Sequence, residues 1–203
     1  LVVPVDNLEF ALTLGVKCEF QIIDWDNKVL ELNSKNIDAV WNGMTLTDEV
    51  MNSMRTTKAY LNNAQVVVLP TSLAKKYKTT EQMKKLSFAV ESGSAGAKEA
   101  KANGFKVTEV TDQATALLEV SSGNQDAAVM DSLMAAAMVG PGTSYAKLTP
   151  TIKLNKEEYG VGFRKGSDLA PALDKLFVKM YKDGSLLKLA KKYGVQEALI
   201  DQK

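Results

Sequence analysis

The sequence predicts an α/β fold in which largely parallel β-sheets are flanked by helices. Two features of the 203 residues support this prediction. Short apolar segments alternate with helical patterns along the first three quarters of the chain, and turn-forming residues separate them. From Ser167 onward the pattern is helical only. Alternation at this density is typical of parallel strands joined by helical crossovers.

Eight short segments predict β-strands because they are rich in β-branched or aromatic residues and end at turn residues. They are Leu1–Val5, Cys18–Asp24, Ile37–Trp41, Ala64–Pro70, Ser87–Val90, Phe105–Val110, Ala127–Asp131 and Tyr159–Arg164.

Predicted helices begin at side chains that can cap free backbone amides. Thr80 is predicted to cap Glu81–Lys85, Asp112 to cap Gln113–Ser121, and Asp131 or Ser132 to open Leu133–Val139. At the end of the chain, apolar residues at helical spacing oppose lysines. This pattern predicts helices over Asp168–Lys182, Leu186–Tyr193 and Val195–Ile200, packed on elements formed earlier in the chain.

Composition argues against several classes of function. The net charge is +1, which gives no electrostatic reason to expect nucleic acid or a membrane surface as a partner. The chain has no histidine, the usual general base near neutral pH and the commonest metal ligand. Its single cysteine, Cys18, cannot form an intrachain disulfide, and we interpret it as a core residue. The sequence therefore predicts neither a metal nor a cofactor.

Three clusters combine a strand end with small or polar residues. In the first, an apolar strand ends at Trp41 and continues as Asn42-Gly43-Met44-Thr45 before the next helix. Ligands of open α/β sheets bind at such carboxyl ends, so Gly43, Met44 and Thr45 are candidate binding residues. A plain strand-to-helix turn fits the same spacing.

The second cluster is Glu91-Ser92-Gly93-Ser94-Ala95, again between a strand and a helix. Free amides at the helix start, with the hydroxyls of Ser92 and Ser94, suit a carboxylate. The cluster lacks the lysine of a phosphate-binding loop and the glycine spacing of a dinucleotide site. An ordinary tight turn remains the alternative.

The third cluster places Asp131 at the end of the apolar strand Ala127–Asp131. A carboxylate in that position suits a cation such as an α-ammonium group. It could equally cap the helix that follows.

In this order, the clusters resemble the family 3 extracellular solute-binding proteins, the polar amino-acid receptors of ABC importers. The resemblance covers roughly residues 16–194. It is carried by Asp24-Trp25-Asp26, Ser34–Ala39, Asn42–Glu49, Tyr60–Val68, Ser92–Ser94, Asp126–Asp131, Tyr159–Gly166 and Asp183–Gly194.

The resemblance implies a two-lobed periplasmic-binding-protein type II fold that closes on an amino acid. It implies that Gly43 and Thr45 contact the ligand from one lobe. From the other, Ser94 and the Ala95 amide would bind the carboxylate and Asp131 the α-ammonium group. The predicted lobes are 1–62 with 161–203, and 63–160.

Two departures from the family pattern bear on ligand binding. The carboxylate-binding arginine of the family is replaced by Val50, which offers no bidentate cation. The segment before the first helix is also shorter than in the family. These departures keep open two alternatives to a transport receptor: a vestigial or engineered non-binding scaffold or signalling domain, and a dehydratase-like enzyme on the same fold.

The resemblance further implies an extracytoplasmic protein, periplasmic or tethered at the cell surface, whose partners are a small-molecule ligand and an ABC importer permease. We expect a monomeric, non-enzymatic protein without nucleic-acid partners. No signal peptide is visible before Leu1, and we expect the chain to be a mature form.

Overall fold

A computed structural model describes Ala11 and residues 13–203. The predicted strand Leu1–Val5 lies outside the described residues. The chain divides into two compact units. Unit 1 comprises Leu1–Ile23, Lys28–Asn62 and Glu158–Lys203, and unit 2 comprises Asp24–Asn27 and Asn63–Glu157.

Helices and strands alternate through most of the described chain. The helices are α1 (Lys28–Asn33), α2 (Asp48–Ser53), α3 (Thr80–Met83), α4 (Ala95–Ala102), α5 (Gln113–Ser121), α6 (Ser132–Met138), α7 (Leu169–Lys182) and α8 (Ser185–Lys192), with 3₁₀ turns at Trp25–Asn27 and Gln196–Ala198. The strands are β1 (Ala39–Thr45), β2 (Arg55–Thr56), β3 (Leu61–Asn63), β4 (Gln65–Pro70), β5 (Ser87–Glu91), β6 (Lys106–Val110), β7 (Ala127–Asp131), β8 (Leu148–Lys153) and β9 (Glu157–Phe163).

Unit 2 is built on a five-stranded sheet of order β6-β5-β7-β4-β8. Strand β5 runs parallel to β6 and β7, whereas β4 runs antiparallel to β7 and β8. Successive residues of a strand face opposite sides of its sheet, so both faces of β4 can carry a core. Val66 and Val68 join a cluster with α5 and α6, whereas Val67 and Leu69 join one that includes residues of α3 and α4.

Unit 1 is organised around β9, which pairs antiparallel with β1 and β2 and also contacts β3. Helix α7 buries Leu173, Phe177 and Met180. Phe177 stacks on Tyr60, with ring centroids 5.2 Å apart, and Trp41 meets it edge-on at 6.0 Å. The apolar stripe predicted for this helix is therefore the one that it buries.

The α/β class is confirmed, and the details differ in identifiable ways. The prediction of mainly parallel sheets holds for β5 and its neighbours but is wrong for β1, β2 and β4, whose partners run antiparallel. In unit 1 the antiparallel pairing is due to β9. This strand comes from the later part of the chain and runs in the opposite direction to β1 and β2. The strand predicted at Cys18–Asp24 is absent, since the structure gives this segment no ladder partner among the described residues.

Helix caps also test the sequence interpretation. Asp112 caps α5 as predicted, accepting a hydrogen bond from the Thr115 amide. Helix α3 is capped one residue earlier than predicted, by Thr79. The Thr79 hydroxyl accepts a hydrogen bond from the Gln82 amide, and the Gln82 side chain accepts one from the Thr79 amide, which forms a capping box. In the part of the chain that the structure describes, no helix combines the length and the apolar character needed to cross a bilayer.

Candidate functional site

Asp131 ends β7 and receives three amide hydrogen bonds from distant parts of unit 2. The Asn63 and Gln65 side chains each donate to its Oδ1, both at 2.7 Å. Gln113 donates to its Oδ2, and the Oε1 of Gln113 accepts from the Asp131 backbone amide at 3.1 Å. Three neutral donors thus hold the carboxylate in one orientation at the strand end.

A second carboxylate shares two of these donors. Glu157 Oε2 accepts from Asn63 at 3.0 Å and from Gln65 at 2.9 Å, so each amide bridges Asp131 and Glu157. A third, that of Glu91, accepts from Gln113 at 3.3 Å. We name Asn63, Gln65, Glu91, Gln113, Asp131 and Glu157 the acidic network.

Burial raises the pKa of Asp131 above its usual value, and repulsion from Glu157 acts in the same direction. The three amide hydrogen bonds oppose this rise because they stabilise the ionised form. No lysine or arginine contributes to this balance among the described residues. An ionised carboxylate in this setting would therefore be stabilised by a cationic group.

Gln65 is the most buried member of the acidic network, with 1% of its surface exposed. Both its side-chain hydrogen bonds use Nε2, and its Oε1 has no hydrogen-bond partner among the described residues. That oxygen faces the first turn of α4, where a Cβ added to Gly96 would lie 2.8 Å from it. Gly96 therefore leaves room for the buried amide beside the helix start.

The Ser92–Ala95 loop precedes this helix start. Ser94 caps α4: its hydroxyl accepts from the Ala97 amide at 3.0 Å and donates to the Glu91 carbonyl at 2.7 Å. Ala95 is the first residue of α4. The hydroxyl at Ser94 thus satisfies one helix amide, and the positive end of the helix dipole faces this loop.

Ser92 is engaged elsewhere. Its hydroxyl donates to Glu109 on β6 at 2.8 Å, and Lys101 pairs with the same carboxylate. The hydrogen bond from Lys101, followed by that from Ser92, lowers the pKa of Glu109. The structure brings Ser94, Ala95 and Asp131 into one unit around the ends of β5 and β7, and it uses Ser92 to tie the loop to β6.

The remaining sequence candidates lie in unit 1. Gly43 has φ +61, and a Cβ added there would lie 3.3 Å from the Tyr159 ring, so the position favours glycine on two grounds. It sits within an irregular stretch of β1, where the pairing with β9 shifts between Val40 and Met44. Met44 is buried in the core, and Thr45 is half-buried at the strand end.

Val50 lies on α2 and is buried. Its amide donates to Thr47 Oγ1 at 3.2 Å, which caps this helix. The position at which the family pattern has a carboxylate-binding arginine is therefore a core position in this chain.

The sequence does not predict Asn63, Gln65 or Gln113 as site residues. They are neutral amides that lie 68, 66 and 18 positions from Asp131, and nothing in their local sequence indicates a shared partner. The position of Gln113 directly after the Asp112 cap is the one available signal, since it places this side chain at a helix start.

A family model places these features in context. The bacterial extracellular solute-binding proteins, family 3, match residues 8–196. The chain belongs to this family. It is therefore a solute-binding protein, and members of the family are extracellular or periplasmic.

Similar proteins bind amino acids: the L-cystine-binding protein TcyJ of Escherichia coli is 27% identical over 188 residues, which is 91% of this chain and 70% of that protein. The arginine-binding extracellular protein ArtP of Bacillus subtilis is 26% identical over 191 residues, covering 90% of this chain and 73% of ArtP.

Solved structures of similar proteins agree with the fold. An ancestral arginine-binding protein bound to arginine is 30% identical, with a TM-score of 0.84, and the match covers 94% of this chain and 87% of that one. An ancestral amino acid-binding protein, AncCDT-1, described as a precursor of cyclohexadienyl dehydratase, gives 30% identity and the same TM-score of 0.84, covering 94% of this chain and 84% of that one.

Proposed function

We propose that this family 3 protein captures an amino acid outside the cytoplasm and delivers it to the permease of an ABC importer. The observation that carries the proposal is Asp131: a strand-end carboxylate with a raised pKa, oriented by three neutral amides and next to a second carboxylate. Such a group suits a primary ammonium ion, which can donate three hydrogen bonds and restore the local charge balance.

The start of α4 is the proposed site for the ligand carboxylate. The first amides of a helix lack intrahelical partners, and the helix dipole favours an anion there. Helix α4 has no acidic residue in its first turn that would compete for this position. Ser94 and the Ala95 amide lie there, in the same unit as Asp131. An ammonium site and a carboxylate site in one unit suit the two charges that every free amino acid carries.

The acidic network also favours one group of amino acids over another. It contains three carboxylates, Glu91, Asp131 and Glu157, which amide side chains bridge, and this concentration of acidic groups lies at the proposed ammonium site. We expect basic and neutral amino acids to bind more tightly than glutamate or aspartate. The named ligands of several relatives, arginine and histidine among them, support this order.

In unit 1, Gly43 and Thr45 stay candidate ligand residues. Met44, which the sequence also suggests, is buried in the core and would act by supporting β1. Position 50 is a buried valine, so this position of unit 1 offers no cation to a ligand carboxylate. Carboxylate binding would then depend on backbone amides and hydroxyls, and we expect moderate affinity.

A thermal-shift screen with the twenty amino acids, small diamines and glycine amide tests the proposal. A ligand at about 100 times its dissociation constant adds about 2.7 kcal/mol of stability, which raises the melting temperature by a few degrees. We expect a hit among basic or neutral amino acids, and its loss in Asp131→Asn. A cooperative melt that no amino acid shifts would overturn the proposal.

A vestigial, non-binding scaffold is the second candidate, and the valine at position 50 favours it, because the carboxylate-binding arginine of the family pattern is absent there. The same screen separates the two functions.

We also propose that the chain is not an enzyme, since no histidine is available as a general base. The dehydratase alternative is tested by incubating the protein with prephenate and following its conversion by absorbance. We expect no conversion above that of a protein-free control.

A further inference from the structure

The main segment of unit 2 begins and ends at two residues that are hydrogen-bonded to each other. The chain enters this segment at Asn63 and leaves it at Glu157, and both residues belong to unit 2. Asn63 ends β3, and Glu157 begins β9. The Asn63 Nδ2 donates to Glu157 Oε2 at 3.0 Å, across 94 positions of sequence. We name this hydrogen bond the crossing link.

The orientation of the Asn63 amide group is fixed by its oxygen. The Oδ1 accepts hydrogen bonds from the Ser132 hydroxyl at 3.0 Å and from the Leu133 backbone amide at 3.4 Å, at the start of α6. A backbone amide can only donate, so the oxygen must face α6 and the nitrogen must face the carboxylates. Asn63 is only 7% exposed, so turning its amide over would leave buried polar groups unpaired. The crossing link therefore has one favourable geometry.

Glu157 is also held through the segment that precedes it. The Asn155 Nδ2 donates to Glu157 Oε1 at 2.9 Å, and Asn155 Oδ1 accepts from the Gln65 backbone amide at 2.8 Å. The Leu154 amide donates to the Gln65 carbonyl at 2.8 Å. The chain that leaves unit 2 is thus tied to the first residue of β4, and the side chain of that residue donates to both Glu157 and Asp131.

We propose that Glu157 is a positioning residue for ligand binding, which acts on Asp131 through the amides of Asn63 and Gln65. The inference rests on the proposed function, in which Asp131 binds the ligand ammonium group. Each bridging nitrogen carries two hydrogens and gives one to each carboxylate. Since the same two nitrogens serve both acids, neither carboxylate can turn without changing the hydrogen bonds of the other. The proposed ammonium site is therefore connected to both ends of the main segment of unit 2.

The charge of Glu157 acts on Asp131 in addition to these hydrogen bonds. Burial is the main cause of the raised pKa of Asp131, and repulsion from Glu157 adds to it. Two further carboxylates connect to this pair through single amides, Glu91 to Asp131 and Glu99 to Glu157. An ammonium group at Asp131 relieves the repulsion, so Glu157 should strengthen its binding. Removal of the Glu157 charge should bring the pKa of Asp131 closer to its ordinary value.

Carboxyl NMR and calorimetry on Glu157→Gln test the proposal. In the ligand-free protein, the pKa of Asp131, followed at its Cγ carbon, should be lower in the variant than in the wild type. At a pH above the measured pKa of Asp131 in both proteins, the variant should bind its ligand about tenfold more weakly, with L-arginine and L-glutamine as basic and neutral probes. Glu158→Gln is the matched control. It removes the same charge at the next residue, which is exposed and lies outside the acidic network, and it should change neither quantity.

The pH profile of binding distinguishes positioning from general structural support. If Glu157 acts through Asp131, the pH at which affinity falls on the acid side should move down in Glu157→Gln together with the pKa of Asp131. A residue that only supports the fold would lower affinity at every pH and leave that midpoint in place. Urea unfolding of each variant checks that the fold is retained.

Two results would overturn the proposal: a pKa of Asp131 that does not fall in Glu157→Gln, or an acid-side midpoint that does not move. A wild type that binds neither amino acid counts against the proposed function instead. The titration of Asp131 in the ligand-free protein then decides by itself whether Glu157 controls this carboxylate.

Discussion

Replacing Asp131 by asparagine should separate ligand binding from folding. The substitution keeps the size of the side chain and removes its charge. If Asp131 binds the ligand ammonium group, the variant loses the partner of a largely desolvated cation. Losing one member of such a pair costs about 2–5 kcal/mol, so we expect affinity to fall roughly 30- to 5,000-fold.

Folding should change far less, and the structure shows why. In Asp131→Asn, the side-chain oxygen that the substitution retains can still accept hydrogen bonds from Asn63 and Gln65. The new amide nitrogen would face Gln113, which must then turn over and release the backbone amide of position 131. That is a loss of two hydrogen bonds, about 1 kcal/mol each, because the Gln113 nitrogen that turns away also donates to Glu91.

A second term opposes this loss. Burial, and then Glu157, raises the pKa of Asp131 in the folded protein, so ionising this carboxyl costs the folded state free energy. The favourable contribution of Asp131 to folding is fully present below its usual value of 3.8 and is lost as pH rises through the raised value. At neutral pH the asparagine variant is relieved of this cost, so its net loss of stability should be smaller than the loss from the two hydrogen bonds, about 2 kcal/mol at most.

Ligand binding should have the opposite pH dependence. An ammonium group requires the ionised carboxylate, so affinity should fall as pH drops through the raised pKa of Asp131, and Asp131→Asn should abolish this dependence. Isothermal titration calorimetry across that pH range, with urea unfolding of the ligand-free protein, measures both quantities. Affinity within about threefold of the wild type would refute the assignment of Asp131.

Substitutions at three further positions test the local structure by urea unfolding. Ser94→Ala removes the acceptor of the Ala97 amide and should cost about 1 kcal/mol, whereas Ser94→Thr, which keeps the cap, should cost less. Gly43→Ala must adopt φ +61 against the Tyr159 ring and should cost about 1–3 kcal/mol, so an unchanged midpoint would contradict the described turn. Phe177→Ala empties a fully buried site of unit 1 and should cost about 3–5 kcal/mol, and a loss below about 1 kcal/mol would exclude that packing.

The sequence predicts best the elements whose burial is uniform. Ala127–Asp131 matches β7 to the residue, because an unbroken apolar run bounded by turn residues has one simple interpretation. Strand β8 escapes prediction because Pro150 is typical of a strand breaker. It is tolerated there because β8 lies at the sheet edge, where a missing amide donor costs little. The predicted end of β1 at Trp41 is too early because Gly43 suggests a turn, whereas the strand passes through it with an irregular register.

The candidate site shows the same division. Asp131 is accessible to sequence reasoning because a charge at the end of an apolar strand is conspicuous. The amides that orient it are not, since Gln65 and Asn63 come from a strand start and a strand end far away in the chain. Their role arises only when β4 pairs with β7, in a register that sets Gln65 opposite Asp131.

That pairing also bears on why this chain could bind an amino acid without the arginine of the family pattern. An arginine contributes both charge and geometry to a carboxylate, and Val50 contributes neither. In unit 2, the groups that would orient a ligand are neutral: the amide side chains that hold Asp131, and the capped start of α4. The fixed charges of the acidic network are all negative, so the ligand's ammonium group, more than its carboxylate, should determine affinity. Amino acids should then lose more affinity from methylation of the amine than from amidation of the carboxylate, and the reverse order would place the dominant contact outside unit 2.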